Sequence, residues 1–340
     1  MEEVSGSLRY GRQIGRVELQ AGAVLAPMAG FTDTPFRLLC KRYGAALVYG
    51  QLVSVKSIIY GNCRAAELLD FLPEEKPIAV QLFGAEPREM ATAIKMITNQ
   101  MAPDHLPDII DINMGCPVPK VVNSGAGCAL MRDPGLAAAM VAAAAEATAI
   151  PVTVKMRSGW DAQHINAPEL AKLVEMAGAQ AVTVHARTRE QFYSGRADWS
   201  IIKEVKAAVD IPVIGNGDVD SPDSFAQMLA VTRCDAVMVG RAALGRPWLF
   251  AELSPSRRDS FSPPQPVEVI ALAIEHLKAA LRYHGPEALY KMRKHLAFYL
   301  KGLRGSHRIK AALLQASNEE QALSLLTEYQ KYLAGLEQNG

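Results

Sequence analysis

From residue 23 to about residue 250 the chain alternates between two periodicities. Short, nearly continuous apolar runs occupy residues 23–28, 46–52, 78–83, 109–113, 152–155, 181–185, 213–216 and 236–239. Runs this short, rich in Val, Ile, Leu and Ala, suit strands that are covered on both faces. Between them lie stretches with helical spacing at residues 34–43, 87–101, 134–149, 167–177, 201–208 and 222–229. Eight strand candidates separated this way predict an α/β fold closed as a (β/α)8 TIM barrel. A doubly wound sheet is the rival reading, but no G-x-G-x-x-G follows the first strand. The nearest approach, Gly125-Ala126-Gly127, sits after the fourth strand and lacks the third glycine.

The pattern changes after Phe250. Residues 254–266 carry four prolines and four serines, which is linker chemistry. Residues 267–332 then read as helices alone. The chain therefore divides into a barrel at 1–253, a linker at 254–266 and a small all-α domain at 267–340. Within residues 276–310 there are nine Lys or Arg against one acid, Glu287. A solvated helix face is the plain explanation of such a run. The imbalance, interleaved with Tyr290, Phe298 and Tyr299, instead suggests a surface for a polyanion, with Arg293, Lys294, Arg304 and Arg308 as its contacts.

Composition narrows the class. Of 340 residues, 49% are hydrophobic and 21% charged, enough to bury a large core and too apolar for a disordered chain. The 36 basic and 35 acidic side chains nearly cancel, so the basic run is a local feature hidden by a net charge of +1. The five cysteines are scattered with no C-x-x-C pair, which argues against a disulfide framework and a cysteine-rich zinc site. The N-terminus has no apolar stretch of the secretory kind, and the most apolar segment, 134–154, is interrupted by Glu146 and Pro151. These features predict a protein of a reducing compartment, cytoplasmic and not inserted in a membrane; a monomer is the expectation, although no residue pattern speaks to oligomeric state.

Polar residues collect where the predicted strands end: Pro27-Met28-Ala29, Gln81, Asn113, Lys155 and Arg157, His185, and Asn216-Gly217-Asp218. In a barrel these ends share one face and converge on one pocket. Cys116 follows Asn113 in Asp111-Ile112-Asn113-Met114-Gly115-Cys116-Pro117. A thiol there can serve as an acid or a nucleophile, whereas Cys40, Cys63, Cys128 and Cys234 read as small hydrophobes. Lys155 could hold an anion or form a Schiff base. His185 has no second histidine or carboxylate at metal-ligand spacing, so no metal is expected. Gly217-Asp218 after the seventh strand and Gly240-Arg241 after the eighth occupy the usual phosphate positions of a barrel.

These motifs resemble the tRNA-dihydrouridine synthases, most of all their bacterial B-type branch. The resemblance rests on APMAGFTDTPFR at 26–37, QLFG at 81–84, DINMGCPVPKVVNSGAG at 111–127, VKMRSGW at 154–160, VHARTREQFYSGRADW at 184–199, IGNGDV at 214–219 and VMVGRAALGRPW at 237–248. It implies an FMN-dependent enzyme, reduced by NADPH, that saturates the C5=C6 bond of uridines in tRNA. It further implies that Pro27, Met28, Ala29 and Gln81 hold the flavin ring, with Lys155 and His185 along its polar edge. Asn216, Gly217, Asp218, Gly240 and Arg241 would take the phosphate, Asn113 and Arg157 the uracil, and Cys116 would be the proton donor. A dehydrogenase of free pyrimidines or dihydroorotate is the rival enzyme, and the basic tail argues against it. An aldolase working through Lys155 and an RNA-binding protein with an inactive barrel are the remaining alternatives.

Overall fold

The computed structural model describes residues 13–20 and 22–338. A two-stranded antiparallel hairpin, β1 (Gln13–Ile14) and β2 (Val17–Glu18), comes first. Eight strands then form a closed barrel: β3 (Ala23–Leu25), β4 (Leu47–Ser54), β5 (Ile78–Phe83), β6 (Ile109–Met114), β7 (Val152–Arg157), β8 (Val182–His185), β9 (Val213–Asn216) and β10 (Ala236–Val239). Every neighbouring pair is parallel, and β10 closes onto β3. The eight predicted strands are all present, with β7 running two residues further, so that Arg157 ends a strand.

Helices α1 (Thr34–Arg42), α2 (Val55–Ile59), α3 (Cys63–Leu69), α4 (Pro87–Gln100), α5 (Pro119–Val122), α6 (Pro134–Ala147), α7 (Ala167–Met176), α8 (Trp199–Ala208) and α9 (Pro222–Thr232) connect the strands. Their starts follow from local chemistry. The side chains of Asp33, Asp133, Asp198 and Ser221 each accept a backbone N–H of the first turn, and proline occupies the opening of α1, α6 and α9. Between strands and helices lies one continuous apolar layer, including Phe36, Ile94, Met140, Val174, Ile202 and Met228. A second cluster fills the barrel's interior. Tyr49, Ala181, Ile214 and Met238 meet Ile14, Val17 and Leu19 of the hairpin segment there, so the hairpin covers the end from which the strands start.

After α10 (Leu249–Leu253) the serine- and proline-rich segment is exposed, with one short turn at Arg258–Ser260. Arg257 pins it by donating to the carbonyl of Arg42 at 2.9 Å. Four helices follow: α11 (Pro266–His284), α12 (Ala288–Tyr299), α13 (Ser306–Gln315) and α14 (Glu319–Gln338). Their apolar faces form a core of their own, which also takes in Leu39 and Trp248 from the barrel. Arg42 with Glu275 and Tyr283 with Asp70 add polar ties between the two parts. At Gly245 a Cβ would lie 2.4 Å from the Phe298 backbone, an approach only glycine permits.

Candidate active site

The strand ends open into a cavity of about 1090 Å³. Its walls bring together Pro27, Met28, Ala29, Gln81, Asn113, Cys116, Lys155, Arg157, His185, Asn216, Gly217, Asp218, Gly240 and Arg241. All the barrel residues singled out in the sequence thus meet in one place. The rim also includes Phe298, Tyr299, Lys301 and Leu303 from the helical part, so the cavity sits where the barrel mouth meets the tail.

A buried chain of hydrogen bonds sets the position of Cys116. Thr153 Oγ1 donates to Asp111 at 2.6 Å, and Gln81 Nε2 donates to the other Asp111 oxygen at 2.7 Å. Asn113 Nδ2 donates to Gln81 Oε1 at 2.8 Å. Asn113 Oδ1 then accepts the N–H groups of Gly115 and Cys116 at 3.2 and 2.8 Å. The Cys116 carbonyl accepts the Cys128 N–H at 3.1 Å. Residue 116 is therefore fixed from both sides, while its side chain borders the cavity. Burial pushes the Cys116 thiol above its ordinary value, which keeps it protonated at neutral pH. A positioned, protonated thiol is a proton donor rather than a ready nucleophile.

The floor is cationic. Lys155 Nζ donates to Asn216 Oδ1 at 3.1 Å, and desolvation followed by the charge of Arg157 lowers its pKa to about 8. Desolvation, with Lys155, Arg157, Arg187 and Arg241 around it, holds His185 far below its ordinary value, so its imidazole is neutral. Arg157, buried, donates to the carbonyls of Gly115, Thr188 and Phe192 at 2.8–2.9 Å and leaves Nη2 without a protein acceptor among the described residues. Such a pocket suits an anionic guest.

The phosphate positions have a matching backbone. Among the described residues the N–H groups of Gly217, Asp218, Gly240 and Arg241 find no protein acceptor. They lie at the ends of β9 and β10, and Gly217 and Asp218 hold φ values of +128° and +56°. The Asp218 carboxylate itself is taken up elsewhere. It pairs with Arg187 at 2.8 Å and accepts the Ala197 N–H at 2.8 Å, so it anchors the loop after β8 and offers a phosphate only its backbone.

Three further residues belong to the site although the sequence pattern did not mark them. Asp111 anchors the chain that holds Cys116, and burial raises its pKa to about 6. Tyr193 stacks under the Arg241 guanidinium at 4.7 Å and near that of Arg157 at 5.7 Å, with its ring exposed at the mouth. Lys301 stands on the rim. The tail residues separate into two kinds. Lys294, Arg304 and Arg308 are exposed. Arg293 is half-buried, stacks on Tyr290 at 4.7 Å and donates to the Ala316 carbonyl at 2.8 Å, so it joins α12 to the turn before α14.

The dihydrouridine synthase family model matches residues 24–334. A tRNA-dihydrouridine synthase B of Xanthomonas axonopodis pv. citri is 41% identical over 320 residues, covering 93% of this chain and 95% of that protein. A probable tRNA-dihydrouridine synthase of Rickettsia bellii is 44% identical over 305 residues, 88% of this chain and 92% of that one. Among solved structures, morphinone reductase in complex with tetrahydroNAD aligns with a TM-score of 0.51 at 12% identity, over 75% of this chain and 91% of that one. Histamine dehydrogenase from Rhizobium sp. 4-9 aligns with a TM-score of 0.54 at 14% identity, over 80% of this chain and 51% of that one. At such identities these two share the barrel fold. Among the described residues no helix is long and apolar enough to cross a membrane.

Proposed function

Since the chain belongs to the dihydrouridine synthase family, reducing uridine in tRNA to 5,6-dihydrouridine is its activity, and we propose that it does so with FMN and NADPH through the residues lining this cavity. One observation carries the reading. A protonated thiol, held by Asn113, borders a cationic cavity whose wall offers four backbone N–H groups without a protein acceptor among the described residues.

The pocket's donors fit a flavin mononucleotide. The N–H groups of Gly217, Asp218, Gly240 and Arg241, with the Arg241 side chain, suit one phosphate. Lys155 supplies a positive charge for the polar edge of the ring, and the neutral His185 beside it can donate one hydrogen bond without adding charge. The backbone of Pro27, Met28 and Ala29 borders the same space. Gln81 is engaged at both ends of its amide and contributes one remaining Nε2 hydrogen. When bound and reduced, FMN supplies the hydride for uracil C6.

The protein's own residues do the rest. Arg157 Nη2 and the second Nδ2 hydrogen of Asn113 are donors for the uracil carbonyls. The Cys116 thiol then transfers its proton to C5, and the resulting thiolate is stabilised by the nearby Arg157 charge. A uridine must leave its stack to reach this depth. Tyr193, exposed at the mouth, offers a ring for the extruded base, and Lys301 on the rim with Lys294, Arg304 and Arg308 beyond it offers charge to the phosphate backbone. A tRNA substrate supports a cytoplasmic location.

The test is reconstitution. Purified protein with FMN and NADPH should convert uridines of unmodified tRNA to dihydrouridine, read as a mass gain of two hydrogens in a nuclease fragment. A protein that retains flavin and oxidises NADPH but leaves every tRNA fragment unchanged would refute the substrate. One that binds no flavin would refute the cofactor.

A further inference from the structure

We propose that Asp33, His276 and His295 form a binding site for a divalent metal ion of the zinc class, bridging the barrel to the helical tail. Three facts converge. The ligand atoms of these residues all lie within 4.8 Å of one another. His276 and His295 are 0% and 1% exposed, yet among the described residues His276 Nε2 has no hydrogen-bond partner and the His295 ring has only a marginal one in the Phe31 backbone. Buried imidazole nitrogens are ordinarily paired, so one nitrogen from each histidine gathered beside a carboxylate oxygen needs an explanation. The groups that do have partners have them in the arrangement a metal site requires. His276 Nδ1 meets the Tyr299 hydroxyl at 3.1 Å, and Asp33 Oδ2 meets His284 Nε2 at 3.1 Å. These contacts turn His276 Nε2 and Asp33 Oδ1 inward, Oδ1 also accepting the Phe36 N–H at 3.3 Å as the cap of α1.

Two imidazoles and one carboxylate match zinc, cobalt or nickel and not calcium or magnesium, which take oxygen ligands. Bonds of about 2.0–2.2 Å need the three donors to close by roughly an ångström, within reach of small side-chain rotations. The Asp33 side chain is 13% exposed, which leaves the site an approach from solvent.

The rival explanation is a purely aromatic box. Phe36 stacks on His276 at 5.7 Å, and Phe31 and Phe36 pack on His295 at 5.2 and 5.0 Å. Rings alone would satisfy the packing but leave His276 Nε2 without a partner among the described residues. The metal would have a clear structural role, because its ligands come from the loop before α1, from α11 and from α12. Phe31, two residues before Asp33, lines the active-site cavity, so the ion would tie the flavin-side loop to the RNA-side helices.

Metal-stripped full-length protein should be titrated with Co²⁺, whose visible absorption reports tetrahedral nitrogen and oxygen ligation, with Zn²⁺ as competitor. One Co²⁺ per chain should bind, and Zn²⁺ should displace it. His295→Gln and Asp33→Asn should each weaken binding by at least about 10-fold. His164→Gln, which alters an exposed His–Asp pair, should leave binding unchanged. Wild-type protein that acquires no tetrahedral Co²⁺ spectrum overturns the proposal without any variant. So does a spectrum that persists at wild-type affinity in both His295→Gln and Asp33→Asn. Neither result bears on uridine reduction, which rests on the barrel cavity.

Discussion

Replacing Gly127 with alanine should disturb Cys116 without touching it chemically. Gly127 holds φ at +61°, a conformation that costs an L-residue about 1–2 kcal/mol. Its new Cβ would lie 2.7 Å from the Cys116 carbonyl oxygen, 2.9 Å from Val121 Cγ1 and 3.2 Å from Cys116 Cβ. The methyl of Val121 can turn away. The Cys116 carbonyl cannot do so freely, because the Cys128 N–H holds it at 3.1 Å. Overpacking of this kind adds about 1–3 kcal/mol, so the total loss of stability should be roughly 2–5 kcal/mol. The shift also moves the proton donor, and a misplacement of about 1 Å costs on the order of 10²-fold in rate. The control is Gly61→Ala, at φ +65° with nothing within 4 Å of the new Cβ, which should show the conformational cost alone. Urea unfolding gives the stabilities, and single-turnover reduction of tRNA uridine gives the rates. If Gly127→Ala is no less stable than Gly61→Ala and reduces uridine at the wild-type rate, Cys116 is not held in the way described.

Three other outcomes follow from the site. Cys116→Ala should keep flavin binding and NADPH oxidation while uridine reduction falls by about 10²–10⁴-fold, and undiminished reduction would assign the proton to another group. Asp111 titrates near 6 in the fold because burial raises it from 3.8. The folded state then binds more protons than the unfolded chain between about pH 4 and 6, so stability falls as pH rises through that window, by roughly 3 kcal/mol. Asp111→Asn, whose amide can still accept from Gln81 and donate to Thr153, should flatten that slope in denaturant titrations. The triple change Lys294→Gln, Arg304→Gln, Arg308→Gln should weaken tRNA binding and reduce the salt slope by up to about 2–3, with NADPH-driven flavin reduction intact. An unaltered slope in filter binding would return the tail's charge to simple solvation. Arg293 is left out of that set because its bond to Ala316 would add a structural effect.

The sequence carried the barrel because its strands are buried on both faces and so read as uninterrupted apolar runs. β5 and β10 begin and end where hydrophobicity does. The cavity residues were legible for a related reason: a polar side chain at the close of such a run has few other uses. The hairpin at residues 13–18 escaped notice because strands of two residues have no period to read. Tyr193 escaped because an exposed loop obeys no pattern. Asp111 was passed over inside its own motif, since an acid within an apolar run looks like an interruption until its partners Thr153 and Gln81 appear on neighbouring strands. Asp33, His276 and His295 show no metal-ligand spacing because the chain's closure, not its order, makes them neighbours. The tail was read correctly as helical and basic. Its packing on Leu39 and Trp248 means that cutting the chain before α11 would bare apolar surface on the barrel, so charge substitutions test it better than truncation.

The hairpin over the strand starts has a practical consequence. Ile14, Val17 and Leu19 seal the barrel at the end opposite the chemistry. Turning the chain there depends on Gly15, at φ +55°, whose Cβ position is already occupied by Gln180 and Pro151. The molecule thus offers laboratory evolution two nearly independent regions. Variation around this seal changes how long the enzyme endures heat or protease and leaves the catalytic repertoire alone. Variation at the strand ends changes the repertoire. A library aimed at new RNA substrates would therefore do well to start from a parent hardened at the seal, where reserve stability can be accumulated first and drawn down later by the riskier changes around the mouth.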